Sequence, residues 1–142
     1  MDVNVTWNDK LFFVGKGETG FTVPLDGAPS SGGENHGLEP MELIAIGLAG
    51  CTGMDTISIL QKKRQDVTAF EVKVHAERAT EFPKVFTKIT IEYIVEGHHV
   101  DPAAVERSIE LSVTKYCPAQ AMLSKACNID HTYSIKDAET RK

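Results

Sequence analysis

The chain has 142 residues, of which 42% are hydrophobic and 25% charged, a composition typical of one soluble globular domain covering residues 1–142. Its formal net charge of −5 argues against a general nucleic-acid-binding protein and against electrostatic binding to an anionic membrane. Three cysteines, an odd number, do not fit the disulfide framework of a secreted protein. Because no signal peptide is recognisable, we expect a cytoplasmic location, where a disulfide is transient and catalytic rather than structural.

Three short strands are predicted at the start of the chain, because apolar residues alternate there with polar ones. A turn at Asn8-Asp9-Lys10 joins the first two strands into a hairpin, and the stretch 26–37, rich in Gly, Ser and Pro, predicts a loop. The residues that define these strands are Val3, Val5 and Trp7, then Leu11 to Val14, then Phe21, Val23 and Leu25.

A long helix is predicted from Pro40 to Gln65, since proline suits the first helical position and the basic residues near its end complement the helix dipole. Its apolar run, residues 43–54, is shorter than the roughly 20 residues of a membrane span, so we expect a core helix. The run is apolar on all sides, which predicts burial on every side. Three glycines form a small-residue face that would let a second copy of the helix approach: Gly47, Gly50 and Gly53.

The second half of the chain predicts two strands, two helices and a last strand. One strand should bury Phe70, Val72, Val74 and Ala76, and the next should place Val85, Thr87, Ile89, Ile91, Tyr93 and Val95 on one face. Asp101-Pro102 is typical of a helix start, and Cys117-Pro118 opens a shorter helix to about Ala126. Alternation of apolar and polar residues from Ile129 to Ile135 predicts the last strand. The order β-β-β-α-β-β-α-α-β predicts an α+β fold, with an antiparallel sheet covered by a long central helix.

The cysteines are the candidates for chemistry. Cys117 directly precedes a predicted helix, where free N–H groups favour a thiolate, although a purely structural role is equally compatible with that position. Cys51 lies in the apolar run and Cys127 near a helix end, and both could simply pack as small hydrophobic residues. The cysteine spacing contains no zinc-ribbon or thioredoxin motif. His98-His99 together with a cysteine is a weak candidate for a metal site, because adjacent histidines on a loop are more typically solvated.

Two carboxylates could act beside Cys51. Asp55 lies four residues further along the helix and therefore shares its face. Glu42 lies nine residues earlier, on the opposite face of an ideal helix, and could be only a first-turn acid that complements the dipole. Asp55 could equally be a buried polar group with its hydrogen bonds satisfied.

Two segments together resemble the OsmC/Ohr family of thiol peroxidases. GLEPMELIAIGLAGC resembles the family's proline-initiated helix that carries the first cysteine, here Cys51, and KYCPAQAML resembles the segment of the second, here Cys117. The order of elements is similar over residues 1–135. The resemblance is greatest to the small OsmC-like branch.

The resemblance implies a catalytic set of Cys51, Cys117 and Glu42 that reduces organic hydroperoxides. Cys51 would become a sulfenic acid, Cys117 would resolve it to a disulfide, and an external dithiol would reduce the pair. It also implies an intertwined homodimer, and neither cofactor nor metal ion is expected. This sequence departs from the family at two points. The glutamate that directly follows the proline in the Ohr branch is replaced by Met41, and the activating arginine that the family has in its N-terminal strands is missing, since no arginine precedes Arg64. The alternative is a non-catalytic protein that binds a small hydrophobic ligand or senses redox state.

Overall fold

Among residues 1–139, which the computed structural model describes, six strands and three α-helices follow one another in the predicted order. The described chain forms two compact units, Met1–Ile44 and Ala45 onward. The prediction of an α+β fold is confirmed, whereas folding of the whole chain as one domain stays a prediction. The strands are β1 (Val3–Asp9), β2 (Phe12–Gly17), β3 (Thr22–Leu25), β4 (Asp66–Arg78), β5 (Phe86–His98) and β6 (Asn128–Asp137), and the helices are α1 (Pro40–Lys62), α2 (Pro102–Leu111) and α3 (Pro118–Leu123).

The first unit is an antiparallel sheet in the order β1-β2-β3, followed by a loop. Lys10 takes the left-handed conformation that closes the β1–β2 hairpin, with φ of 48°. The loop contains a short turn of 3-10 helix at Pro29–Ser31. The buried carboxylate of Asp26 organises this loop, because it accepts backbone N–H groups from Gly27, Glu34 and His36.

The second unit contains a mixed sheet in the order β4-β5-β6. β4 and β5 are antiparallel, as predicted, but β6 runs parallel to β5. The sheet is therefore not purely antiparallel, because α2 and α3 form the crossover connection that a parallel pair requires. The buried face of β5 carries Ile89, Ile91, Tyr93 and Val95.

At the start of β5 the prediction of the buried face is wrong, because the strand contains a β-bulge. Glu77 pairs with Lys88 and Arg78 with Phe86, so Thr87 is an extra residue that reverses the alternation. As a result Phe86 is buried, whereas Thr87 and Val85 are exposed.

Helix α1 ends earlier than predicted and buries only one face within the chain. It stops at Lys62, and Arg64 takes a left-handed conformation with φ of 55° instead of continuing the helix to Gln65. By length and apolar composition, α1 would suit either a membrane span or a core helix. The expected burial on every side is wrong for the single chain, in which Ile46 and Met54 are exposed. The buried positions are Leu48, Thr52, Gly53, Thr56 and Leu60.

The third helix is shorter than predicted. It ends at Leu123 rather than near Ala126. A single π-helical turn, Ser112–Tyr116, joins α2 to Cys117. This turn brings Ser112 to a fully buried position beside α1.

Candidate active site

Two cysteines and a carboxylate from separate parts of the sequence meet in the second unit. The Sγ atoms of Cys51 and Cys117 and a carboxylate oxygen of Asp55 all lie within 4.8 Å of one another. Cys51 and Asp55 are neighbours one turn apart on α1, as the helical spacing predicts, and Cys117 comes from the start of α3. The two thiols are therefore close enough for a small movement to form an S–S bond of about 2.05 Å.

Cys117 is the buried member of this cluster. Its side chain is 3% exposed, and its Sγ accepts the Gln120 backbone N–H at 3.3 Å as the N-cap of α3. Burial, followed by the neighbouring Cys51 thiol, raises the pKa of Cys117 to about 11. The expectation that the helix start favours a thiolate here is therefore wrong, because desolvation outweighs the single N–H contact. Cys117 is a protonated thiol at neutral pH.

Cys51 is half-buried, and so solvent or a substrate can approach its sulfur more readily than that of Cys117. The third cysteine, Cys127, is not part of the cluster. Its thiol makes only a long contact, 3.9 Å, with the backbone oxygen of Leu123. The site therefore contains two of the three cysteines, and Cys127 provides a matched control for both.

A buried chain of hydrogen bonds leads away from Asp55. The Ser112 hydroxyl donates to Asp55 Oδ2 at 3.0 Å and lies 2.9 Å from Thr52 Oγ1. Thr52 Oγ1 is 2.7 Å from the Tyr93 hydroxyl, which in turn lies 3.1 Å from Nδ1 of His131. Burial raises the pKa of Tyr93 to about 12, and burial lowers that of His131. Asp55 thus belongs to a fixed polar network rather than standing alone.

The other members of this network, Thr52, Tyr93, Ser112 and His131, are not predicted as site residues by the sequence pattern. Thr52 is the residue after Cys51, and Tyr93 is the one inward position of β5 with a hydroxyl group. A polar group on a buried face needs a partner, and this was the available signal. Ser112 gave no signal, because the π-helical turn that buries it is not visible in the sequence pattern.

Glu42, the third predicted catalytic residue, belongs to the first unit. It lies in the first turn of α1, and its carboxylate accepts the backbone N–H of Glu39 at 3.1 Å. This is the arrangement of a first-turn acid that satisfies a free N–H group at the helix start. A catalytic role of Glu42 stays a prediction.

A cleft of about 330 Å³ opens beside Asp55 in the second unit. It combines an apolar lining with two charged groups, the Asp55 carboxylate and the Lys62 ammonium. Lys62 is one of the basic residues near the end of α1 that complement its dipole, and the sequence does not predict its place in the cleft. The other lining residues are Ser58, Ile59, Leu111 and Tyr116.

Arg78 and His98 have partners outside the cysteine cluster. Arg78 donates from Nε to the backbone oxygen of Lys84 at 2.9 Å, within the β4–β5 connection. His98 Nδ1 lies 3.0 Å from Asp66 Oδ2. These contacts account for both side chains without the cysteine cluster.

Comparison with known proteins identifies the family. The sequence profile described as OsmC-like protein matches residues 32–132. Protein YhfA of Escherichia coli is 42% identical over 135 residues, which cover 95% of this chain and 98% of YhfA. The chain therefore belongs to the OsmC-like family, and the resemblance seen in its two cysteine segments is confirmed.

Solved structures show the same fold. A hypothetical protein from Aquifex aeolicus has a TM-score of 0.85 at 30% identity, over 97% of both chains. An organic hydroperoxide resistance protein OsmC from Legionella pneumophila has a TM-score of 0.69 at 13% identity, over 94% of this chain and 95% of its own. The second comparison shows the fold alone.

Proposed function

We propose that the protein reduces organic hydroperoxides with Cys51 as the attacking residue and Cys117 as the resolving residue. The observation that carries this proposal is that the two sulfur atoms lie within 4.8 Å of each other and differ in exposure. The family and the name of the Legionella pneumophila neighbour, an organic hydroperoxide resistance protein, support a redox role.

The difference in exposure sets the order of the two steps. The Cys51 thiolate attacks the O–O bond of the hydroperoxide, the alcohol leaves with the proton of the Cys51 thiol, and Cys51 becomes a sulfenic acid. The Cys117 thiol then attacks this sulfur, forms the disulfide and releases water, so two thiols and one hydroperoxide give one disulfide, one alcohol and one water. Cys117 does not compete for the first step, because burial keeps its thiol protonated and only a thiolate is a good nucleophile. It gives up its proton when it attacks the neighbouring sulfenic acid. An external dithiol reduces the disulfide.

The cleft beside Asp55 supports an organic rather than an inorganic substrate. Its volume of about 330 Å³ can hold a small organic group, and Ile59, Leu111 and Tyr116 offer apolar contacts to it. Hydrogen peroxide has no group that would use these contacts. We therefore expect faster turnover of an aromatic or alkyl hydroperoxide than of hydrogen peroxide.

The active form that we propose is a homodimer in the cytoplasm. Large apolar side chains are exposed on α1 and, separately, on β1, including Met54 at 73% and Trp7 at 62%. Exposed apolar surface of this kind marks a protein interface. A reducing compartment would also supply the dithiol that the cycle needs and keep the cysteines reduced.

The test measures turnover of cumene hydroperoxide with an excess of dithiothreitol. We expect Cys51→Ser to abolish turnover, because serine cannot form a sulfenic acid, and Cys127→Ser to keep the wild-type rate. In a single turnover without reductant, the wild-type protein should lose two of its three thiols. A Cys51→Ser variant as active as the wild type would overturn the proposal. Oxidation of the thiols without turnover would instead favour the redox-sensing alternative.

A further inference from the structure

The cluster of Cys51, Asp55 and Cys117 has the donor atoms of a metal site. Two sulfur atoms and one carboxylate oxygen all lie within 4.8 Å of one another, and the three side chains are half-buried or buried. Four-coordinate zinc holds cysteine sulfur at about 2.3 Å and carboxylate oxygen at about 2.0–2.2 Å. Around a zinc ion the ligand atoms would have to lie closer to one another than 4.8 Å. Modest rotations of the three side chains would bring them to these distances.

The types of donor select the ion. Magnesium and calcium require oxygen ligands, whereas two thiolates favour zinc or another thiophilic metal. Three protein ligands leave one of the four zinc positions open for water. The half-buried position of Cys51 gives an ion access to the cluster from solvent.

Partners that would orient the ligands are already in place. The buried Ser112 hydroxyl donates to Asp55 Oδ2 at 3.0 Å and is itself held 2.9 Å from Thr52 Oγ1. The Gln120 N–H points at the Cys117 sulfur at 3.3 Å. Hydrogen bonds to the ligands of this kind orient them and tune their affinity for the metal.

We propose that the reduced protein binds one Zn²⁺ per chain through Cys51 Sγ, Cys117 Sγ and an Asp55 carboxylate oxygen. Binding replaces the protons of the two thiols, which pass to the solvent, and involves no oxidation or reduction. The bound ion holds both sulfur atoms, and therefore blocks both their alkylation and their oxidation to a disulfide. The blocking of the peroxide reaction rests on the proposed function, whereas the binding of zinc does not.

The test titrates the full reduced chain with Co²⁺ under anaerobic conditions, since Co²⁺ in a tetrahedral thiolate site has intense visible absorption bands. We expect one Co²⁺ per chain, bleaching of the bands by Zn²⁺, and slower alkylation of the thiols when Zn²⁺ is bound. Cys51→Ser and Cys117→Ser should each lose the thiolate bands, and Cys127→Ser should keep them. Absence of the bands in the wild-type protein, or their survival in both of the first two variants, would overturn the inference.

Asp55→Asn and Ser112→Ala test the oxygen donor. We expect Asp55→Asn to weaken Co²⁺ binding at least tenfold, and Ser112→Ala to weaken it about 10- to 100-fold through loss of the orienting hydrogen bond. Unchanged affinity in Asp55→Asn would exclude the carboxylate from the site. Because no peroxide is present, the titration separates the two proposals: zinc binding without turnover contradicts only the peroxidase, and turnover without zinc binding contradicts only the metal site.

Discussion

The Tyr93 hydroxyl lies at the centre of the buried hydrogen-bond chain. The residue is fully buried, and its oxygen lies 2.7 Å from Thr52 Oγ1 and 3.1 Å from His131 Nδ1. Tyr93→Phe would keep the ring but leave polar atoms of both partners short of a hydrogen bond. We expect the free energy of unfolding to fall by about 1–3 kcal/mol, measured by urea unfolding with an unchanged m-value.

The matched control for this substitution is Tyr116→Phe, because the Tyr116 side chain is half-exposed. Its free energy of unfolding should stay within about 0.5 kcal/mol of the wild-type value, as for most surface substitutions. Equal losses in the two variants would contradict the assignment of a stabilising role to the Tyr93 hydroxyl.

The hydrogen bonds to the Asp26 carboxylate lead us to expect that the first unit is sensitive to acid. Burial alone would raise the pKa of Asp26, but hydrogen bonds from the backbone N–H groups of His36, Gly27 and Glu34 together lower it below its ordinary value of 3.8. A lowered pKa in the folded state means that the ionised carboxylate stabilises the fold above pH 3.8, and that this stabilisation is lost as the pH falls through the folded value. The first unit should therefore lose stability below about pH 4.

The only tryptophan of the chain, Trp7, lies in this unit and reports its unfolding by fluorescence. We expect Asp26→Asn to lower the thermal midpoint at pH 6 and to flatten its decline toward pH 3. Asp2→Asn, at an exposed terminal position, should leave the pH profile unchanged. If the thermal midpoint of Asp26→Asn declined toward pH 3 as steeply as that of the wild-type protein, other carboxylates would govern the acid sensitivity.

Among the elements, α2 has the most clearly defined start. The Asp101 side chain accepts the Ala103 N–H at 3.0 Å, and Pro102 occupies the first turn. The prediction of this cap from Asp101-Pro102 is confirmed. We expect Asp101→Ala to reduce the free energy of unfolding by about 0.5–2 kcal/mol, while Asp101→Asn, whose side-chain oxygen can still accept the bond, should retain most of it. Urea unfolding of both variants measures the difference, and an equal loss in both would exclude capping as the cause.

Local patterns predicted the elements well, and the errors lie where distant residues decide. Alternation placed β4 and most of β5 correctly, because β5 has one buried face and β4 has one half-buried face. The bulge at Thr87 follows from pairing with β4, and the parallel direction of β6 follows from the crossover through α2 and α3. Neither the bulge nor the parallel direction can be predicted from a short stretch of sequence, because both depend on pairing with a distant strand.

The same distinction applies to the site. Helical spacing predicted that Asp55 lies on the face of Cys51, since both belong to one helix. The nearness of Cys117 came only from the family resemblance, because it depends on how α3 packs beside α1. Its raised pKa, opposite to the expectation from the helix start, depends on burial that the sequence does not express. Lys62 shares its cleft with Leu111 and Tyr116, from the end of α2 and the π-helical turn, and this contact is likewise between residues distant in the sequence.

For the whole molecule, the unpartnered apolar face of α1 leads to the last prediction. Ile46 and Met54 are exposed at 50% and 73%. Within residues 1–139, a methyl group added at Gly47 or Gly50 would meet no atom within 4 Å other than the adjoining backbone of the helix itself. A helix that is apolar all round but buried on one side is stable in water only when a partner covers the other side. We expect the proposed homodimer to cover this face, so Met54→Glu should convert the protein to a monomer in sedimentation velocity. Val85→Glu, at an exposed apolar position in the β4–β5 connection, should remain dimeric. A Met54→Glu variant that stays dimeric would show that the dimer contact lies elsewhere. A monomeric wild-type protein would contradict the proposed homodimer itself.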